Sequence, residues 1–190
     1  IVAWCNIGFA NSYSNPLYYE KNLYLNGELV TELVIPDGVI SIGDSAFYGC
    51  SSLTSITIPD NVTTIGSEAF YNCKNLTSVI IGDGLKSINM RAFGYCDNLT
   101  SVVIGNGVTN ISGEAFWFSD NFTTIYYKGT AEEWEKIVIR NDYIGTTNLT
   151  IYYYSETEPP MNADGTGYDG NYWYYGDDGV PVVWEYQESE

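Results

Sequence analysis

The chain has 190 residues, enough for one extended domain with a small appendage, and it carries 7 Lys and Arg against 24 Asp and Glu. The net charge of −17 argues against nucleic acid and anionic membrane surfaces as partners, because both repel such a field. The charge also has a simpler reading, in which it only keeps an extended, tyrosine-rich chain soluble. No apolar run is long enough to span a bilayer, so we expect no membrane insertion.

Residues 1–29 are predicted to form an irregular N-terminal module that contains a partial repeat. The segment that starts at Trp4 reads WCNIGFANSY and is similar to WEKIVIRNDY, which starts at Trp134, 130 residues later. The chain lacks an initial Met and has no leader-like start. We therefore expect that the N-terminus is a cut end, a reading consistent with one stretch of a longer array.

Residues 30–128 consist of near-identical blocks with a period of 23 residues. The blocks start at Val30, Leu53, Leu76, Leu99 and Phe122, and the second reads LTSITIPDNVTTIGSEAFYNCKN. A fixed period of this length is typical of a solenoid, in which each coil buries its apolar face against the next. The sequence therefore predicts a repeat solenoid that is mainly β with short helical turns.

Each coil carries the same local signals. In the second block, Leu53, Ile56 and Ile58 form an apolar stripe with polar residues between them, which predicts a short strand. Residues 59–61 are Pro, Asp and Asn, which tight turns select. The Ala-Phe pair at 69–70 predicts a short helical turn whose Phe fills the coil.

Three of the four cysteines, Cys50, Cys73 and Cys96, hold one repeat position. Side chains stacked at the strand spacing of about 4.8 Å point the same way, which is poor disulfide geometry. We expect buried thiols that behave as small hydrophobes. Because the chain has no His and no C-x-x-C spacing, we expect neither a metal site nor any other cofactor.

The motif L-x-x-I-x-I-P-x-x-V-x-x-I-G-x-x-A-F-x-x-C, carried by residues 30–127, resembles the BspA-type leucine-rich repeat of bacterial surface proteins. The resemblance implies a right-handed, leucine-rich-repeat-like coil. It also implies a secreted or surface-displayed bacterial protein that serves adhesion or recognition. It does not imply an activity.

Residues 129–154 are predicted to cap the solenoid, because a terminal coil must cover the exposed edge of the core. Thr130 followed by acidic residues predicts a short helix over 130–139, and 149–154 predicts a closing strand. The stretch 155–170 is rich in Gly, Pro and acid and is predicted to be a linker. Its N-x-D-x-T-G pattern is similar to a calcium loop, but Trp173 stands where the loop needs a bidentate Glu.

Residues 171–190 hold two aromatic or β-branched runs around Asp178 and Gly179, which predicts a hairpin followed by an acidic tail. The hairpin is similar to one cell-wall-binding repeat, a unit that works in tandem. That similarity makes the following aromatic residues candidates for binding a glycan or the cell wall: Tyr172, Trp173, Tyr174, Tyr175 and Trp184. The alternative is a hairpin that folds back on the solenoid or is loosely ordered, since a lone hairpin is marginal in water.

The sequence predicts no enzyme. The absence of His excludes Ser-His-Asp and Cys-His arrangements. Two carboxylates could in principle cleave glycosides. However, Glu68 and Glu114 share one repeat slot with Ser45 and Arg91, which is typical of a solvated column.

Two columns of side chains are candidates for binding an extracellular protein partner. The outward column of the strand face runs Val34, Thr57, Ile80, Val103 and Tyr126, and the column after the core Phe contains Tyr48, Tyr71 and Trp117. Exposed apolar stripes and exposed aromatics are typical of recognition surfaces. The simpler readings are strand propensity for the first column and packing for the second. A protein-recognition module, a glycan- or wall-binding module and a structural spacer therefore all stay open.

Overall fold

A computed structural model describes residues 1–140, 144 and 148–186. The chain winds into a solenoid with two sheets of mostly parallel strands and a third face made of turns. Its coils repeat every 23 residues, which confirms the predicted repeat solenoid.

The N-terminal segment closes the first end of the core. It contains α1 (Val2–Cys5), a 3-10 helix (Ser12–Ser14) and α2 (Leu17–Glu20). A short antiparallel hairpin follows, formed by β1 (Tyr24–Leu25) and β2 (Glu28–Leu29). Cys5, Leu17 and Leu23 are buried against the first coil, so the segment covers apolar surface that a further coil would otherwise cover.

The larger sheet has eight strands. Their spatial order is β3 (Glu32–Val34), β5 (Ser55–Ile58), β7 (Ser78–Ile81), β9 (Ser101–Ile104), β11 (Thr124–Tyr127), β13 (Thr150–Tyr154), β14 (Tyr172–Tyr175) and β15 (Pro181–Val183). All neighbours are parallel except β14 and β15, which form the predicted hairpin. Along the repeat strands alternate side chains point inward, which explains the apolar-polar alternation in the sequence.

The second sheet is narrower. Its strands, two residues each, are β4 (Ser41–Ile42), β6 (Thr64–Ile65), β8 (Ser87–Ile88), β10 (Asn110–Ile111) and β12 (Val138–Ile139). The predicted helix over 130–139 is wrong in its extent: α3 (Ala131–Trp134) ends early, although Thr130 forms the predicted cap with Glu133. It ends because Val138 and Ile139 pair with β10 and extend this sheet.

The third face replaces the predicted helical turns with a string of tight turns. Ser45 and Gly49 both have positive φ, of 54° and 72°, and such residues interrupt a helix. The Phe47 N–H instead donates to the Ala69 carbonyl of the next coil at 2.7 Å, and the same bond recurs in the following coils. Backbone groups are thus satisfied between coils rather than within one helix.

The core is a set of columns. Phe47, Phe70, Phe93 and Phe116 are fully buried and stack with centroids 5.1–5.6 Å apart. The cysteine column is buried, as predicted, and its thiols also donate hydrogen bonds: Cys96 Sγ lies 3.3 Å from the Phe70 carbonyl. No coil could bury such side chains alone, so coil stacking holds the fold together.

Candidate functional site: the strand face and its hairpin

The outward column of the eight-stranded sheet is a continuous row, as predicted. The strand registers align Val34, Thr57, Ile80, Val103 and Tyr126 side by side. A second outward row lies beside it and contains Glu32, Ser55, Ser78, Ser101 and Thr124. We call the two rows together the strand face. Each internal strand is hydrogen-bonded to a neighbouring strand on both sides, so the row lies on a rigid backbone.

The C-terminal hairpin (residues 172–183) folds back over the far end of the strand face. Trp173 is fully buried, and its Nε1–H donates to the Tyr127 carbonyl at 3.0 Å. Its ring also lies 5.5 Å from the ring of Tyr126. Trp173, proposed from the sequence as a glycan-binding residue, is therefore an anchor inside the protein and is not accessible to a glycan in this structure.

The hairpin turn covers part of the predicted surface. Val180 and Pro181 line a cleft of about 220 Å³ against Ile80, Val103 and Tyr126. Val103 is only 4% exposed, whereas Val34 in the same row is 67% exposed. The expectation that the whole column faces solvent is thus wrong at Val103, because a segment far along the chain packs on it.

A second, more open cleft of about 660 Å³ lies beside the hairpin. Tyr126, Tyr174 and Trp184 contribute its aromatic walls, and the Tyr174 and Trp184 rings are 4.6 Å apart. Trp184 Nε1–H is already engaged, since it donates to the Ser155 carbonyl, and Tyr172, which does not line this cleft, donates to Asp169. Tyr172, Tyr174, Tyr175 and Trp184 are all half-buried.

An ion pair that the sequence did not indicate lies beside the hairpin. Lys128 Nζ is 2.8 Å from an Asp83 carboxylate oxygen, across two coils. Burial acts to lower the pKa of Lys128, but the hydrogen bond and charge of Asp83 outweigh it and raise that pKa. No local motif links residues so far apart, so only the coil register could have revealed the pair.

The aromatic column Tyr48, Tyr71 and Trp117 lies on the turn face and does not join the strand face. Tyr48 and Tyr71 stack at 5.0 Å with an interplanar angle of 23°, so each ring covers the face of its neighbour. Burial raises the pKa of Tyr71 to about 12. The guanidinium of Arg91 lies 4.2 Å from the centroid of the Trp117 ring. This geometry favours packing, because the ring faces that would bind a ligand are occupied.

The near end of the strand face is open. The β1–β2 hairpin stands beside β3, and the two border a cleft of about 490 Å³. Sequence reasoning missed this hairpin, although Asn26 and Gly27 between two strand-like pairs are a strong hairpin signal. Val34, Glu28 and Glu32 are exposed there.

The described part of the chain contains no group of three His, Cys, Asp or Glu side chains placed to hold a metal ion. Within the same residues, no helix is both long enough and apolar enough to cross a bilayer. The linker contains a compact loop in which Asp164 accepts hydrogen bonds from the amide and hydroxyl of Thr166. These bonds lower the pKa of Asp164.

Comparisons with known structures agree with this architecture. A leucine-rich cell surface protein from Faecalibacterium prausnitzii is similar at 27% identity and a TM-score of 0.51, over 57% of this chain and 35% of that one. A leucine-rich-repeat protein from Eubacterium ventriosum shares the fold at 19% identity and a TM-score of 0.50, over 84% of this chain and 49% of that one. The chain thus spans at most about half the length of these two proteins.

Among curated proteins no sequence matches the chain. The model of one family, the BspA type leucine rich repeat region, matches residues 19–144 in six copies. That match covers well over half of the chain and includes every coil of the strand face. The chain therefore belongs to the BspA-type leucine-rich-repeat family.

Proposed function

We propose that the chain is a non-catalytic recognition module, located outside the cell or at its surface, that binds a protein partner through the open part of the strand face. The observation that carries the proposal is the exposure of Val34, at 67%. The residues at the same position of the other coils are buried or half-buried. Exposed apolar side chains on a rigid sheet suit a protein partner. The similarity to a leucine-rich cell surface protein from Faecalibacterium prausnitzii supports the location.

The open region is wider than one residue. Thr57 and Ser55, on the next strand, are half-buried and point to the same side as Val34 and Glu32. The region therefore combines apolar contact with hydroxyl groups that can form hydrogen bonds. A partner seated there would meet a backbone that needs little ordering, which reduces the entropic cost of association.

The test is a binding screen of the full chain against extracellular-matrix proteins, purified cell walls and a glycan array. For any protein that binds, Val34→Asp and Thr57→Asp should each weaken affinity at least about tenfold, equivalent to about 1.4 kcal/mol. Val138→Asp is the matched control, because Val138 is a strand residue that is 61% exposed but lies on the other sheet. Equal effects of all three variants would refute the proposal.

A second candidate function is binding of glycan or cell wall at the hairpin. The 660 Å³ cleft with its Tyr174 and Trp184 walls supports it, because aromatic rings provide large contact areas for sugars. Under this reading Tyr174→Ala abolishes retention on cell walls, whereas Thr57→Asp has no effect. If the intact chain bound none of the three ligand classes, that result would favour a structural spacer.

A further inference from the structure

The two edges of the eight-stranded sheet differ. At one edge lies β15. Just before it the Val180 carbonyl accepts from the Gly176 N–H, and just after it the Trp184 N–H donates to the Tyr172 carbonyl. The backbone groups of residues 180, 182 and 184 therefore face β14. Pro181 therefore lies on the free side, where it offers no N–H. An edge strand that is short and contains proline resists the addition of another strand.

The opposite edge, β3, has no such protection. Ile35 N–H donates to the Thr57 carbonyl and Ser55 N–H donates to the Thr31 carbonyl, so odd-numbered residues of β3 face β5. The N–H and C=O groups of Glu32 and Val34 consequently face away from the sheet. Within the described residues these groups have no hydrogen-bond partner, and both residues are exposed.

The space beside β3 fits one more extended segment. The β1–β2 hairpin stands across a cleft of about 490 Å³ and contributes Leu25 and the half-exposed Leu29 as apolar wall. The charged side chains that line the cleft are Glu28 and Glu32, both acidic. Backbone groups, an apolar wall and acidic side chains together define what can bind.

We propose that β3 accepts an extended, cationic segment of a partner protein, which adds as a further strand to the sheet. The segment would pair with the free groups of Glu32 and Val34 and present Lys or Arg to Glu28 and Glu32. A second copy of the chain is a poor occupant, because each copy has a net charge of −17 and the other sheet edge carries Pro181. This inference rests on the proposed function, since it assigns the chemistry of the protein partner.

The test uses short synthetic peptides as probes: one alternates Val with Lys, and its matched version has Glu in place of Lys. Binding to the full chain is measured by fluorescence anisotropy at low and physiological salt. Val34→Pro removes one free N–H without touching the pairing side, and Val34→Thr is the control that keeps it. We expect the Lys peptide to bind, the Glu peptide not to bind, and Val34→Pro to weaken binding at least tenfold relative to Val34→Thr.

Amide hydrogen exchange of the unmutated chain gives a second readout that does not depend on how the proline variant folds. The Lys peptide should slow exchange at Glu32 and Val34 by at least tenfold and leave the outer edge, at Val183, unchanged. Equal peptide affinity in the two Val34 variants, or protection spread over the whole acidic surface, would overturn the inference. A concentration-dependent dimer that Val34→Pro dissolves would also overturn it, by making a second copy the occupant.

The inference and the proposed function fail separately. A protein partner that loses affinity on Thr57→Asp but not on Val34→Pro would uphold binding to the strand face and refute strand addition. Thr57 can make this distinction because its backbone is paired on both sides and its side chain lies on the face.

Discussion

Trp173→Ala should release the C-terminal hairpin from the strand face while the coils stay folded. The side chain is fully buried and donates one hydrogen bond, to the Tyr127 carbonyl. Burial of about 200 Å² at about 25 cal/mol per Å² is worth about 5 kcal/mol, and measured Trp→Ala losses in cores run about 3–5 kcal/mol. A hairpin without its anchor is marginal in water, so the loss falls on hairpin docking.

Amide hydrogen exchange measures this release. We expect protection of β14 and β15 to fall by two to three powers of ten, because each tenfold corresponds to about 1.4 kcal/mol. Protection of β5 and β7 should stay unchanged. Trp173→Phe is the matched control, since it keeps most of the apolar contact and loses only the N–H donor, at about 1 kcal/mol. Unchanged hairpin protection, or an equal loss in β5 and β7, would refute the reasoning.

Three further predictions concern the coils. Burial raises the pKa of Cys96 to about 12, so the folded state holds this proton more tightly than the unfolded chain does. The free energy of unfolding is therefore unaffected below about pH 9 and falls as the pH rises toward 12. For this thiol the fall is at most about 1.4 kcal/mol per pH unit. Cys96→Ser should lessen that fall in urea titrations, because a Ser hydroxyl does not titrate in this range and the site accepts it, as the equivalent hydrogen bond of Ser119 shows; an unchanged slope would contradict this. Gly107→Ala should lower Tm by several degrees in thermal melts, because a Cβ there would collide with the Asp83 carbonyl oxygen; an unchanged Tm would show that the turn yields. Lys128→Met should change the free energy of unfolding by less than about 1 kcal/mol, because both partners of its ion pair are partly exposed, and a larger loss would make the pair part of hairpin docking.

The sequence predicted the coils well because each signal in them is repeated. The strand, turn and core positions recur every 23 residues, so a misreading in one block is corrected by the others. Residues 130–139 had no such support: the Thr130 cap and the acidic first turn are correct signals for a helix start, but they do not say where the helix ends. Its end depends on pairing of Val138 and Ile139 with a strand of the preceding coil.

The candidate site was predicted less well because it depends on contacts between the repeats and the segments that flank them. Periodicity placed Val34 and Val103 in one row, correctly. It could not indicate that one is 67% exposed and the other 4%, since that difference comes from the hairpin turn at 179–181, more than 70 residues beyond Val103. The alternation of aromatic residues in that hairpin likewise did not show that Trp173 would point inward.

Under the proposed function, recognition by this chain depends on its non-repeated segments. Stacked coils of nearly identical sequence present nearly identical rows, and such a surface alone gives a partner no unique position along it. The two hairpins remove that ambiguity: the C-terminal one covers Val103, and the N-terminal one borders the exposed edge at Val34. Between them, the open part of the strand face extends over β3 and β5, with the acidic side chains of Glu28 and Glu32 at its exposed edge. Under that proposal, the solenoid supplies rigidity and the hairpins determine where along it a partner binds.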